Sequence, residues 1–277
     1  MHDPNEEYLY HYTNVSSLAM IFQNQNIKFN PLTVLDDSEE EIVKDKQRFG
    51  KYCFVSSWTD EKNESIPMWN MYTDLSDGVR IRLPKYPFQE YFLNISHLNK
   101  DSNYNVTGNG FYTIIPPDEF INQNYFLSTY NQSQTLKKVN YTNKEDKLCP
   151  IIKSTLNGNT VVEFSKLGIN KNEFWSFQSE WRYILNFFPF GYNEIQKEAT
   201  ENNNLGLLIK LDKASDLPFN YYFLKLKPEK FEQIKITLSP KINEGNRRIV
   251  ELLVEKFIPN ANIFDIISDS ELTKKIR

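Results

Sequence analysis

The chain has 277 residues, 40% of them apolar and 25% charged, which is ordinary for a globular protein with a full core in one large or two small domains. Its formal net charge of -4 and pI near 5.6 supply no basic field for duplex nucleic acid. The pairs Lys137-Lys138, Arg247-Arg248 and Lys274-Lys275 do not extend into longer basic runs.

Two cysteines, Cys53 and Cys149, make neither a disulfide framework nor a zinc cluster. Both read as buried thiols in a reducing compartment. The polar Met1–Glu7 segment is not a signal peptide, and no apolar run approaches the roughly 20 residues that span a bilayer. A cytoplasmic location is therefore expected.

Tyr8 to Tyr12 reads as a strand, and Asn14 offers an N-cap before Leu18, Ile21 and Phe22, which share a helical face. Ile27-Lys28-Phe29 reads as a short strand stopped by Asn30-Pro31. The acidic run Asp36 to Glu41 reads as a solvated helix start, with a divalent-cation loop as the alternative. Lys51 to Trp58 is a strand candidate. Ser65 and Pro67 mark a helix start, carrying Met68, Trp69 and Tyr72. After Gly78, Val79, Ile81 and Leu83 alternate with Arg80 and Arg82, as in a half-buried strand.

Residues 100 to 135 are rich in Asn, Ser, Thr and Tyr and read as loops and short elements, an insertion spanning about 98–150. Polar stretches at 142–148 and 197–204 read as surface loops. Leu205 to Ile209 reads as a buried strand, and Ile234, Ile236 and Leu238 as another. Asn243 to Phe257 reads as a helix with Ile249, Leu252, Leu253 and Val254 on or near one face. Ala261 to Ile267 reads as a final strand, completing a β-α-β ending. The expected class is α+β, with mixed, mainly antiparallel sheets and flanking helices, as a single domain over 1–277.

Three constellations stand out. His11 is either a hydrogen-bonded structural histidine or a ring that binds a ligand hydroxyl or amide. Trp69 and Tyr72, three apart on a helix, are either core or a platform for a flat ring. An extended Gln178 to Leu185 would put Gln178, Glu180 and Arg182 on one face and Trp181, Tyr183 and Leu185 on the other. That face is either a structural ion pair or a site where Glu180 stabilises positive charge at a sugar carbon and Gln178 orients the incoming group. The sequence has no Walker loop, G-x-G-x-x-G, H-E-x-x-H or nucleophile elbow, and its three histidines are too few for a zinc or non-haem iron site.

The ordered set Leu9-Tyr-His-Tyr-Thr13, Leu35-Asp-Asp-Ser-Glu-Glu40, Phe54-Val-Ser-Ser57, Met68-Trp-Asn-Met-Tyr72 and Gln178-Ser-Glu-Trp-Arg182 resembles domain-of-unknown-function family 2971, a bacterial and phage-associated group. Its members show L-Y-H-Y-T, N-D-P-x-E, F-x-S, W-x-x-Y and E-W-R. The late Ile234 to Pro240 segment also fits. Asp36-Asp37-Ser38 departs from Asn-Asp-Pro.

The opening motif, helix and short strand also resemble ADP-ribosyltransferase folds of the His-Tyr-Glu type. That resemblance implies NAD as substrate, with His11 on its ribose, Tyr72 stacked on nicotinamide, and Glu180 and Gln178 as the catalytic Gln-x-Glu pair. Tyr12, Thr13, Ser56, Ser57, Trp69 and Arg182 would complete the NAD-binding wall, and Tyr52 is an alternative for the tyrosine. It further implies a toxin or antiphage effector, with a macromolecular acceptor or an antitoxin as partner. The competing reading is a non-catalytic nucleotide- or partner-binding module anchored by Arg80, Arg82 and Arg182.

Overall fold

A computed structural model describes residues 6–44, 48–94, 110–120, 122, 124–128, 131–156, 159–200, 208, 209, 211, 213 and 215–275. The class is α+β with mostly antiparallel pairing, as the patterning implies. Strand β1 (Tyr8–Asn14) leads directly into helix α1 (Val15–Asn24), whose N-cap Asn14 accepts from the Ser17 amide. Leu18, Ile21 and Phe22 are buried along α1.

Strand β2 (Asn26–Pro31) runs through the Asn30-Pro31 pair expected to stop it, since Pro31 still sits opposite Phe54. An edge position tolerates proline because no ladder donor is needed there. Strand β3 (Cys53–Thr59) is preceded by a 3-10 turn over Phe49–Tyr52, so the expected strand from Lys51 begins two residues late. Helix α2 (Ile66–Tyr72) starts as the sequence predicts, with Ser65 accepting from the Met68 amide and proline in the first turn.

In strand β4 (Gly78–Pro84), Val79, Ile81 and Leu83 are buried. All seven β4 residues pair antiparallel with β1, from Tyr8 opposite Pro84 to Asn14 opposite Gly78. Strand β5 (Leu136–Lys138) flanks strand β6 (Glu180–Phe188), which pairs with all of β3 from Glu180 opposite Thr59 to Asn186 opposite Cys53. Strand β7 (Tyr222–Lys225) pairs with β2. Strand β8 (Lys235–Leu238) pairs with β4, and strand β9 (Ile267–Asp269) runs parallel to β8.

One detail of the pairing positions the site. Because β6 occupies one edge of β3 throughout, β1 and β2 share the other edge. There β2 meets Phe54 and Val55, while β1 touches β3 at Tyr10 opposite Thr59. The sheet therefore splits along Ser56, Ser57 and Trp58. On the edge away from β6 these three residues have no ladder partner among the described residues, and there the Ser57 carbonyl meets a side chain, His11.

Several expectations fail for identifiable reasons. Residues 197–200 belong to helix α3 (Tyr192–Thr200) rather than a loop. Leu208 and Ile209 are helical with Ile209 43% exposed, so the expected buried strand is absent where the chain is described, and Leu205 to Leu207 lie outside the described residues. A short apolar run cannot separate helix from strand by period. Helix α4 (Glu244–Phe257), capped by Asn243, buries Val250 and Val254 and leaves Ile249 and Leu252 largely exposed. The expected strand 261–267 is instead the short helix α5 (Ile263–Ile266) followed by β9. Of the 98–150 insertion, residues 98–109 lie outside the described residues. The described remainder is mostly short elements, two of which, β5 and the Phe126–Leu127 strand, join the main sheet through β6. Cys53 is buried, but Cys149 is only partly so.

Candidate functional site

Where the sheet splits, a pocket of about 530 Å³, counting its open mouth, lies between β1, β3, α2 and the start of β6. His11, Tyr72, Gln178 and Glu180 all line it, joined by Tyr12, Ser57 and Arg182. These residues come from four separate stretches of the chain.

His11 is held by the split. The free Ser57 carbonyl lies 2.7 Å from its Nδ1 and can only accept, so Nδ1 carries a proton. In the neutral ring, Nε2 is then an acceptor for a ligand donor. Burial pushes the His11 pKa down, and the bond to Ser57 offsets only part of that. The ring also packs at 5.1 Å against Trp58, which is buried.

Helix α2 divides its two aromatics. Trp69 is wholly buried, donates to Glu64 at 2.9 Å and packs edge-on to Tyr12 at 4.9 Å. It does not line the pocket, so the platform role expected of Trp69 is corrected to core packing. Tyr72, less than a turn onward, is half-buried and borders the pocket. Burial pushes its phenol pKa up, and the nearby Glu180 adds to this. The Tyr72 oxygen accepts from the Gln178 side-chain amide.

The segment carrying Gln178 is not extended. It is a 3-10 turn over Glu173–Gln178, closed by Ser179 at φ 44, and the strand begins at Glu180. The left-handed residue nevertheless returns Gln178 and Glu180 to the same pocket. Ser179 adopts this conformation although non-glycine residues do so uncommonly.

Four charged side chains form a buried network behind the pocket. Arg182 donates through Nε and Nη2 to Glu180 at 2.6 and 3.1 Å, and through Nη2 to Glu40 at 2.8 Å. Its Nη1 also reaches Glu40 and the Gly168 carbonyl. Lys171 lies 3.3 Å from both Glu40 and Glu180 and 2.9 Å from the Gln178 oxygen. The Glu180 carboxyl is subject to burial, which would raise its pKa, but Arg182 and Lys171 outweigh this and hold it below the ordinary value. The Ser57 hydroxyl also reaches it. Glu180 is therefore an ionised carboxylate on the pocket wall at neutral pH.

Glu40 corrects the expectation of a solvated acidic run, since its side chain is 2% exposed and faces Arg182. Neither Glu40 nor Lys171 was singled out from the sequence. The available signal for Glu40 was its place as the last residue of the N-D-P-x-E-like segment. Lys171 had no signal. Besides Trp69, two more expected residues do not line the pocket. Thr13 is nearly buried in β1, and the Ser56 hydroxyl accepts from Trp58 Nε1 at 3.0 Å. The alternative Tyr52 is buried elsewhere, donating to the Ser215 carbonyl.

Fold and site together define an α+β protein with an aromatic, charge-backed pocket at a split in its sheet. Residues 68–183 match the family model described as Protein of unknown function (DUF2971), a span from α2 into β6 that contains Tyr72, Lys171, Gln178, Glu180 and Arg182. This supports the family resemblance read from the motifs. No curated protein and no solved structure matches the chain. Among the described residues, no helix is long and apolar enough to cross a membrane.

Proposed function

We propose that the pocket binds the nicotinamide–ribose end of NAD and cleaves the bond between them, in the manner of ADP-ribosyltransferases. The observation that carries this reading is convergence: His11, Tyr72, Gln178 and Glu180, distant in sequence, line one pocket. Tyr72 and Trp58 supply flat apolar walls for the ring. The neutral His11 accepts a ribose hydroxyl through Nε2. When the C–N bond breaks, its electron pair stays with the nicotinamide nitrogen and positive charge grows at the ribose carbon. A fixed carboxylate stabilises that charge without reorganising. Water or an acceptor oxygen then adds to the carbon and releases a proton.

A second reading, a binding module without catalysis, is favoured by the pairing of Glu180. Arg182, Lys171 and Ser57 already engage its carboxylate, so its charge also serves the fold. The two readings part on one experiment, nicotinamide release from NAD by wild type and Glu180→Gln, with cell extract as a source of acceptors. Release by wild type, lost in the variant with NAD affinity kept, supports cleavage as a transition-state effect. Saturable NAD binding without release under any acceptor condition leaves the binding module. Equal release by both proteins removes Glu180 from the chemistry.

A further inference from the structure

A second groove lies on the face of β4 opposite Val79, Ile81 and Leu83, bounded by β8 and α5, and encloses about 820 Å³ with its open mouth. The facing residues of β1 and β4 build a ladder there, with Tyr10 opposite Arg82 and Tyr12 opposite Arg80. The Arg82 guanidinium lies 4.2 Å from the Tyr8 ring centre, and that of Arg80 lies 4.6 Å from Tyr10. Stacking fixes both planes and directs the guanidinium donors along their edges, where one of the Arg80 donors already meets the Lys62 carbonyl.

Two cations of this groove have backbone acceptors rather than carboxylate partners: Arg80 Nη1 donates to the Lys62 carbonyl at 3.1 Å and Lys235 Nζ to the Asp265 carbonyl at 2.5 Å. Among the described residues, no ion pair engages Lys62, Arg80, Arg82 or Lys235. Arg80 is 7% exposed, and its Nε has no hydrogen-bond partner; neither does the buried Nε of Arg82. Three carboxylates also line the groove, Glu64, Asp265 and Glu271. Glu64 is already engaged by Trp69, Ser270 and the Glu271 amide. Four basic against three acidic side chains leave a surplus of one positive charge. At the rim, Phe264 stands 89% exposed, a large ring kept in water beside arginines.

We propose that this groove binds a nucleoside monophosphate, the phosphate on Arg82, Arg80 and Lys62 and the base on Phe264. Phosphate oxygens accept from several guanidinium donors at once, and an exposed aromatic ring stacks any base. The surplus of one charge suits a single phosphate better than a polyphosphate chain. The proposal is independent of the chemistry assigned to the split-sheet pocket.

The test is calorimetric titration of the full chain at low salt with adenosine monophosphate, then with adenosine, inorganic phosphate and a short single-stranded oligonucleotide. The expected result is saturable binding of the monophosphate, competition by phosphate, and weaker binding of adenosine. Arg82→Gln and Phe264→Ala should each weaken it by about tenfold while melting like wild type; Lys62→Ala serves if either variant fails to fold. Tighter oligonucleotide binding with the same sensitivity supports the groove and identifies a strand as the source of the nucleotide. No binding of the monophosphate, binding indifferent to these substitutions, or displacement by excess nicotinamide would overturn the proposal.

Discussion

The protein keeps its arginines in two opposite conditions. Behind the split-sheet pocket, Arg182 is 1% exposed and spends its donors on Glu180, Glu40 and the Gly168 carbonyl. On the β1–β4 face, Arg80 and Arg82 stack on tyrosines, and among the described residues no ion pair engages them. A buried ion pair contributes little net stability but leaves a costly unpaired charge when one partner goes. A stacked cation without a carboxylate leaves no such debt. The first region is thus a fixed electrostatic frame that aims Glu180, and the second holds charge still available to a ligand.

The largest expected effect tests that contrast directly. Arg182→Ala strands Glu40 and Glu180 in the interior with only Lys171 between them. It should cost about 3–5 kcal/mol, read as a fall in the urea midpoint. Arg82→Gln should cost no more than about 1 kcal/mol, the scale of a cation–π contact. Similar losses in the two variants would break the distinction between frame and free charge.

Next comes the division within α2. Trp69→Ala should cost about 3–5 kcal/mol, because it empties a wholly buried site. Tyr72→Phe keeps the ring and removes only the oxygen that accepts from Gln178. Its stability loss should be about 0.5–1.5 kcal/mol, while ligand affinity falls through loss of Gln178 orientation. Thermal melts paired with NAD titration check both. Equal stability losses would return Tyr72 to the core.

These contrasts bear on what the sequence could reveal. Alternation and capping are local, so Val79-Ile81-Leu83 and the helix starts at Asn14 and Ser65 were legible. His11, Tyr72, Gln178 and Glu180 were legible through their ordered motifs. Glu40 and Lys171 were not, because a charged side chain is buried only when a partner elsewhere in the chain compensates it, and Glu40 finds Arg182 across 142 positions. On α4, four apolar residues fitted one broad face. The facing elements selected Val250 and Val254, a choice the helical period alone does not make.

The smallest effect concerns acid, where two of the groups lining the pocket, His11 and Glu180, act in separate windows. The His11 pKa is lowered in the folded protein, chiefly by burial, so the unfolded chain takes up a proton first as pH falls. Its contribution to stability is full above the unfolded value of about 6.5 and is lost as pH drops from there through the folded value. Glu180 is also lowered, because Arg182 and Lys171 overcome the effect of burial. Its contribution is full above the unfolded value of about 4.3 and is lost below that, towards the folded value. Stability measured by urea titration should therefore decline in two steps on acidification. His11→Gln should flatten the step that begins near 6.5 and leave the lower one. Glu180→Gln lowers stability throughout, since Arg182 and Lys171 lose a charged partner, but it should remove much of the lower step. An upper step that survives His11→Gln would mean that another group titrates there, and that the Ser57 bond does not hold His11 neutral beside the ligand.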